Sequence, residues 1–193
     1  FRMLNKYFIV VPGYPRALAI LGNLFSHQSF QHLGLNMIML WFMGTRLHDD
    51  IGRGNFLAIY LSSGVFGGFA SLAMFTLRRN FITSSLGASG ALCGVIGAHL
   101  WIHGADYFKI LGLPPDPFLG VTGLGFLIPL VLIDIWGLRK IGKVGGAYDH
   151  YAHLGGYFGG IVGGEVFKRQ AAQRKQLEIE RRNAALRIAF QKR

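Results

Sequence analysis

Residues 85–94 read Ser85-Leu86-Gly87-Ala88-Ser89-Gly90-Ala91-Leu92-Cys93-Gly94, a serine set among glycines at the start of an apolar run. A hydroxyl in a membrane helix usually hydrogen-bonds to its own backbone, so a lone serine would indicate only local structure. Polar side chains in two other apolar segments, at a matching depth, argue against that explanation for Ser89.

The composition predicts a chain that lies largely in lipid. Of its 193 residues, 51% are hydrophobic and only 15% are charged, and one membrane crossing takes about 20 apolar residues. The expected fold class is therefore all-α, a polytopic transmembrane helix bundle with five spans. The spans fall at about residues 30–47, 55–77, 85–102, 118–137 and 148–167.

This pattern divides the chain into an interfacial loop segment at 1–25, a membrane core at 26–167 and a basic tail at 168–193. The tail carries nine lysines and arginines, and its ragged apolar pattern predicts a helix near anionic lipid headgroups or a plain solvated helix. The net charge of +11 does not indicate nucleic-acid binding, because the charge gathers outside the spans and no recognition motif accompanies it.

Four polar side chains occur inside the odd-numbered spans. His32 and Asn36 are four residues apart and share one helix face, Ser89 lies about four residues into the third span, and His153 lies about five into the fifth. These spans run in the same direction, so the four groups should lie in one leaflet, roughly 6–10 Å below the surface. Unpartnered polar groups are unfavourable in hydrocarbon, so we expect the four to partner one another.

Small residues recur every four positions along two of these spans, which is the pattern that lets helix backbones approach closely in lipid. They are Gly90, Gly94 and Ala98 in the third span, and Gly156, Gly160 and Gly164 in the fifth. Packing of the two rows should bring His153 within hydrogen-bond reach of Ser89, and a larger residue at Gly94 or Gly156 should prevent it.

A serine beside a histidine predicts nucleophilic catalysis. Ser89 would attack while His153 removes and then returns the proton, and the tetrahedral oxyanion would meet the Ser89 backbone N–H, His32 and Asn36. The predicted reaction type is acyl transfer, in the form of peptide-bond hydrolysis on a substrate that is itself in the membrane, and no cofactor or metal ion is predicted.

These residues match three motifs of the rhomboid intramembrane serine proteases, which the chain resembles from about Asn23 to Phe167. The motifs are GxSG at residues 87–90, HxxGxxxG at 153–160 and HxxxN at 32–36, and they occur in the family's order on alternate spans. Further stretches resemble the mitochondrial inner-membrane branch in its fungal form. They are residues 5–8, 41–48, 52–56 and 111–117.

The resemblance implies a six-helix core whose first helix would precede Phe1, with residues 1–25 as the partly embedded loop after it. It implies that Ser89 and His153 form a catalytic dyad without an acid, with His32 and Asn36 at the oxyanion. The glycines that the resemblance assigns to helix packing at the site are Gly87, Gly90, Gly94, Gly156 and Gly160.

The resemblance also implies that the fourth span is a mobile gate for a substrate helix. Mitochondrial members cleave single-pass membrane precursors, including a dynamin-like GTPase, which would be this chain's partner by analogy. Bacterial members often place a tyrosine four residues after the serine, against the base. Cys93 stands there in this chain, so another residue must orient His153.

Asp134 lies in the same leaflet as Ser89, but we interpret it as an interfacial or gate residue in preference to a third catalytic member. Asp149, His150 and His153 have the spacing of metal ligands, but further ligands are not evident and zinc is not predicted.

Two other functional classes stay open at this point. A catalytically silent rhomboid-like scaffold would bind membrane substrates without cutting them, and it would be expected to lack the serine or the base. A small transporter could use His32, Asp134 and His153, but it would need polar residues through both leaflets.

Overall fold

A computed structural model describes residues 2–81, 83–106, 122–140 and 149–191, and this part of the chain is a bundle of α-helices without a sheet. The all-α fold class is confirmed. The helices are α1 (Arg2–Tyr7), α2 (Ala17–Gly22), α3 (Phe30–Met39), α4 (Thr45–Leu77), α5 (Ser89–Ile102), α6 (Gly123–Gly137) and α7 (His150–Gln191).

The first two predicted spans are two helical segments, and the chain reverses direction between them at a single glycine. A π-helical turn at Leu40–Gly44 joins α3 to α4. Gly52 then breaks the helix with φ 78° and ψ 163°, a conformation open essentially to glycine alone. The ring of Phe56 packs 6.0 Å from that of His48. We call the two halves the first arm (30–51) and the second arm (53–77).

Helix α5 is the centre of the bundle, since every residue from Gly90 to Leu100 is buried. Leu47 and Ile51 of the first arm pack against Val95 and Ala98, near the end of α5. Apart from His99, the buried residues of α5 are apolar or small on every side, as expected for a helix surrounded by protein.

Helix α7 packs against both α5 and the second arm through glycines. A β-carbon on Gly156 would lie 1.9 Å from the carbonyl oxygen of Gly90, and one on Gly160 would lie 1.9 Å from that of Gly94. The residue numbers rise together along the two helices, so α5 and α7 run parallel. The first arm is also parallel to α5, which confirms the shared direction of the odd-numbered spans.

Helix α5 begins at Ser89, later than the predicted start of the third span at residue 85. Ser85 forms an isolated antiparallel bridge with Val10, with N···O distances of 3.0 and 2.9 Å. Gly87 then adopts a positive φ of 116°, which is not helical. The expectation that Ser89 lies four residues inside a helix was therefore wrong, because the chain is tied to the amino-terminal segment until Gly87.

The last two predicted spans also have different limits in the structure. The predicted residues 118–121 lie outside the described part of the chain, and α6 begins at Gly123 with Thr122 accepting a hydrogen bond from the Gly125 N–H. Helix α7 begins at His150 and continues without a break to Gln191. The tail is thus an exposed extension of α7 and not a separate helix lying along the membrane surface.

The outer face of the bundle is apolar. Within the described residues, one helical stretch, Phe30–Leu77, is both long and apolar enough to cross a membrane, and α5 and α6 are shorter apolar helices. Lipid can solvate an apolar outer face that water would not. Large exposed side chains on this face include Trp41, Phe42, Phe66, Phe69, Ile128, Leu132, Ile133, Trp136 and Phe158.

Candidate active site

Ser89 and His153 meet where the amino-terminal ends of α5 and α7 lie side by side. The Nε2 atom of His153 is 3.0 Å from the Oγ atom of Ser89, a hydrogen-bond distance. Ser89 is the first residue of α5 and His153 is in the first turn of α7, and both are partly buried. The arrangement allows the imidazole to accept the serine proton.

Glycines make this approach possible, each against a different neighbour. Gly156 and Gly160 face carbonyl oxygens of α5. Gly94 chiefly makes room for Ser63 of the second arm, whose Cβ lies 2.0 Å from the position of an added β-carbon. Gly90 is less crowded, because the nearest atom is the carbonyl oxygen of Ala152 at 3.2 Å. The backbone contacts of Gly156 and Gly160 therefore set the distance between α5 and α7.

Gly87 shapes the turn that leads to Ser89. An added β-carbon would lie 2.6 Å from Cε1 of His32, and the Gly87 N–H donates to the Asn23 carbonyl oxygen at 2.9 Å. Ser29 caps α3 by accepting from the His32 N–H at 3.1 Å. The His32 ring thus packs on the backbone two residues before Ser89, and it lies within electrostatic range of His153.

Two further sets of hydrogen-bond donors are Asn36, one helical turn after His32 on α3, and the N–H groups at the start of α5. Asn36 is buried, and its Nδ2 has no hydrogen-bond partner within the part of the chain that the structure describes. Ala88 precedes α5 and offers no side-chain cap, although the first N–H groups of a helix lack intrahelical partners. The N–H groups at the start of α5 are therefore available to an anion beside Ser89.

Asp134 lies closer to the candidate site than the interpretation as an interfacial or gate residue implies. Its Oδ1 atom lies 2.9 Å from Nδ1 of His153 and 2.6 Å from Nδ1 of His150. An acid therefore lies beside the histidine, whereas the resemblance implied a catalytic dyad without one. The available signal was a carboxylate within an apolar span, in the leaflet of the serine, since ionisable groups are rarely placed there without a partner.

The residues with metal-like spacing do not converge on one point. Asp149 accepts hydrogen bonds from Ser71 Oγ at 2.5 Å and from the Ala152 N–H at 3.1 Å, while His150 and His153 both face Asp134. Cys93 is buried among apolar side chains near Tyr157, and its sulfur lies within 4.8 Å of a carboxylate oxygen of Asp134 and a ring nitrogen of His153.

A second cluster of titratable groups lies at the opposite end of α5. Oδ2 of Asp50 is 3.1 Å from Nδ1 of His99 and 2.9 Å from Nε2 of His103, and Nδ1 of His103 is 2.7 Å from Asp106. Burial lowers the pKa of His103, but hydrogen bonds to Asp106 and Asp50 raise it, and the net pKa lies above its usual value. The cluster ties the Gly52 reversal to the end of α5.

Comparison with known proteins agrees with this architecture. The family model described as "Rhomboid domain" matches residues 15–170. The chain is 35% identical over 181 residues to "Rhomboid protein 1, mitochondrial" of Saccharomyces cerevisiae, covering 93% of this chain and 50% of that protein. It is 36% identical over 161 residues to "Presenilin-associated rhomboid-like protein A, mitochondrial" of Danio rerio, covering 83% of this chain and 40% of that protein.

A bacterial relative carries the protease activity in its name. "Rhomboid protease GluP" of Bacillus subtilis is 29% identical over 135 residues, which is 70% of this chain and 23% of the relative. The chain spans half of the yeast relative and smaller shares of the other two. From the matched domain and these relatives, the chain belongs to the rhomboid family of integral membrane proteins.

Proposed function

We propose that this chain is the catalytic core of an intramembrane serine endopeptidase in which Ser89 is the nucleophile and His153 the general base. The single observation that carries the proposal is the 3.0 Å separation of Ser89 Oγ and His153 Nε2. A serine hydroxyl is a weak nucleophile until a neighbouring base takes its proton, and this distance is within the range for that transfer.

The protons on Ser89 and His153 are restored at the end of each reaction cycle. As Ser89 Oγ bonds to the scissile carbonyl carbon, its proton passes to His153 Nε2, and the same proton then goes to the leaving amine as the C–N bond breaks. Water repeats the sequence on the acyl-enzyme and regenerates both side chains. Electrons and protons balance without a cofactor or a metal ion.

Oxyanion stabilisation falls to His32, Asn36 and the N–H groups at the start of α5. The unpartnered Nδ2 of Asn36 and the missing side-chain cap at Ala88 support this assignment, because donors that are already fixed in place stabilise charge as it develops. The His32 ring, which packs on Gly87, would be the third group around the oxyanion.

The substrates would be transmembrane segments of single-pass precursors, and the location would be the mitochondrial inner membrane. The mitochondrial relatives support the location, and the apolar outer face supports a substrate that arrives through lipid. A dynamin-like GTPase precursor is the candidate substrate by family analogy. Headgroup contacts of the tail would involve only its first turns, near Lys168 and Arg169. Because α7 continues as one helix beyond them, the later tail residues would lie further from the membrane.

The test is cleavage of a single-pass reporter by the protein, expressed at its full natural length and reconstituted in lipid. Ser89→Ala and His153→Ala should each lower kcat by about 10³-fold or more. Ser62→Ala and His48→Ala serve as matched controls, because both residues lie on α4 away from Ser89. They should leave kcat unchanged.

Two results would overturn the proposal. The first is retained cleavage by the Ser89→Ala variant at the wild-type rate. The second is a wild-type protein that binds the reporter with the same affinity as the Ser89→Ala variant and never cuts it, which would favour the scaffold class.

A further inference from the structure

We propose that Asp134 is the positioning residue of this site, so that Ser89, His153 and Asp134 act as a triad and His150 holds the carboxylate in place. The inference rests on the proposed function and adds two residues to its machinery. It explains how His153 is oriented in a chain that has Cys93 four residues after the serine, where bacterial members often have a tyrosine.

The hydrogen bonds decide which nitrogen of His153 can act as the base. With Oδ1 of Asp134 at 2.9 Å, an acceptor-only carboxylate requires Nδ1 to carry the proton. The Nε2 lone pair then faces Ser89 Oγ at 3.0 Å, ready to accept its proton. Without Asp134, the ring could adopt the opposite tautomer or rotate away from the serine.

A carboxylate at this position also suits the charge that develops. When His153 takes the serine proton it becomes an imidazolium, and the adjacent carboxylate stabilises that cation without accepting the proton itself. Asp134 is 9% exposed at its side chain, so water screens this interaction little.

His150 secures the carboxylate from the other side. Its Nδ1 lies 2.6 Å from the same Oδ1 atom, which gives that oxygen two donors. Its ring lies against Gly137, where an added β-carbon would be 2.3 Å from Nε2 of His150. Asp134 and Gly137 are one helical turn apart on α6, so the His150 ring fits into the notch between them and holds α6 to α7.

A purely structural role for Asp134 predicts a different cost from a positioning role. Few groups of α6 are buried, and Asp134 is one of them with Gly123, Leu127 and Gly137. An isolated carboxylate in this place would be unfavourable. A merely structural contact would affect folding and substrate binding alike, whereas a positioning residue affects the chemical step.

The deciding experiment compares Asp134→Asn with wild type in the reconstituted reporter assay. Asparagine keeps the size of the side chain but removes the charge and the requirement for one tautomer. We expect kcat to fall by about 10²-fold or more with KM changed by less than about threefold. The rate at which a fluorophosphonate labels Ser89 should fall in parallel.

Asp149→Asn is the matched control, because Asp149 carries another carboxylate at this end of α7, and its carboxylate oxygens accept from Ser71 and the Ala152 N–H and not from the His153 ring. It should lower the thermal midpoint while leaving kcat near the wild-type value. Rates are compared per amount of monodisperse, folded protein, so that loss of folding in a variant is not counted as loss of catalysis.

The outcomes separate this inference from the proposed function. Wild-type kcat and labelling rate in Asp134→Asn would overturn the triad and leave the serine protease standing. An equal loss of kcat in Asp134→Asn and Asp149→Asn would also overturn it, by assigning Asp134 a structural role. A wild-type protein that neither cleaves nor labels at Ser89 would overturn the proposed function itself.

Discussion

The carbonyl oxygen of Gly90 on α5 lies where it would be 1.9 Å from a β-carbon placed on Gly156 of α7. Neither atom belongs to a flexible side chain, so neither can swing away. The contact fixes the helix separation that gives Ser89 and His153 their hydrogen bond, and it connects the packing of the bundle directly to the geometry of its chemistry.

Gly156→Ala should therefore lower both stability and activity. The added methyl group forces α5 and α7 apart, and such overpacking costs about 1–3 kcal/mol. Thermal unfolding in detergent and the reporter assay measure the two effects. Gly54→Ala is the control, because nothing lies within 4 Å of its added β-carbon, and it should stabilise α4 by up to about 1 kcal/mol. Equal stability of the two variants would contradict the prediction.

Gly87→Ala and Gly52→Ala separate backbone strain from a local collision. Both positions have positive φ, at 116° and 78°, but an added β-carbon meets the His32 ring at Gly87 and open space at Gly52. Each variant should lose about 1–3 kcal/mol of stability through strain. Only Gly87→Ala should also reduce kcat, because it displaces His32. A similar kcat for both variants would argue against a role for His32.

Gly137→Ala should act through the His150 ring. The ring is the movable partner of this contact, so we expect it to leave the Asp134 carboxylate while the fold survives. The variant should lose kcat with a small change in thermal midpoint. In a His150→Ala background the same substitution should have no further effect on kcat. Additive losses would show that Gly137 acts by another route.

The Asp50 cluster makes stability depend on pH. Burial lowers the pKa of His103, but Asp106 and Asp50 raise it above its usual value in the folded protein, and the His99 ring lies nearby with its centroid 4.8 Å away. The protonated form is thus favoured by folding, so this stabilisation is complete below the unfolded pKa of about 6.5 and is lost as pH rises through the higher folded pKa.

His103→Gln should flatten the fall in thermal midpoint with rising pH over this window. In that background Asp106→Asn should change the pH dependence no further, because its partner is gone. An unchanged slope in His103→Gln would exclude this histidine as the titrating group.

The helices and their relative directions could be predicted from the sequence, because apolar length and the spacing of glycines can both be read within a single segment of the chain. The limits of the helices were less predictable. The start of α5 at Ser89 depends on a bridge from Ser85 to Val10, a contact across 75 positions that no local pattern records. The sharp reversal between the first two spans depends on one backbone conformation, at Gly52.

Asp134 shows the same limit at the candidate site. Nineteen positions separate it from His153, and the family resemblance pointed to a site without an acid. Only the rotation of α6 about its own axis decides whether Asp134 faces the histidines or the lipid. Hydropathy along α6 is high on every side, so the sequence carries little information about that rotation.

Helix α7 runs for 42 residues without interruption, a length of about 63 Å at 1.5 Å per residue, roughly twice the thickness of a bilayer's hydrocarbon interior. A single uninterrupted helix of this length carries its positively charged far end tens of ångströms away from its first turn, where His153 lies. A partner bound at that end would be tens of ångströms from Ser89, too far to contact the proposed active site directly.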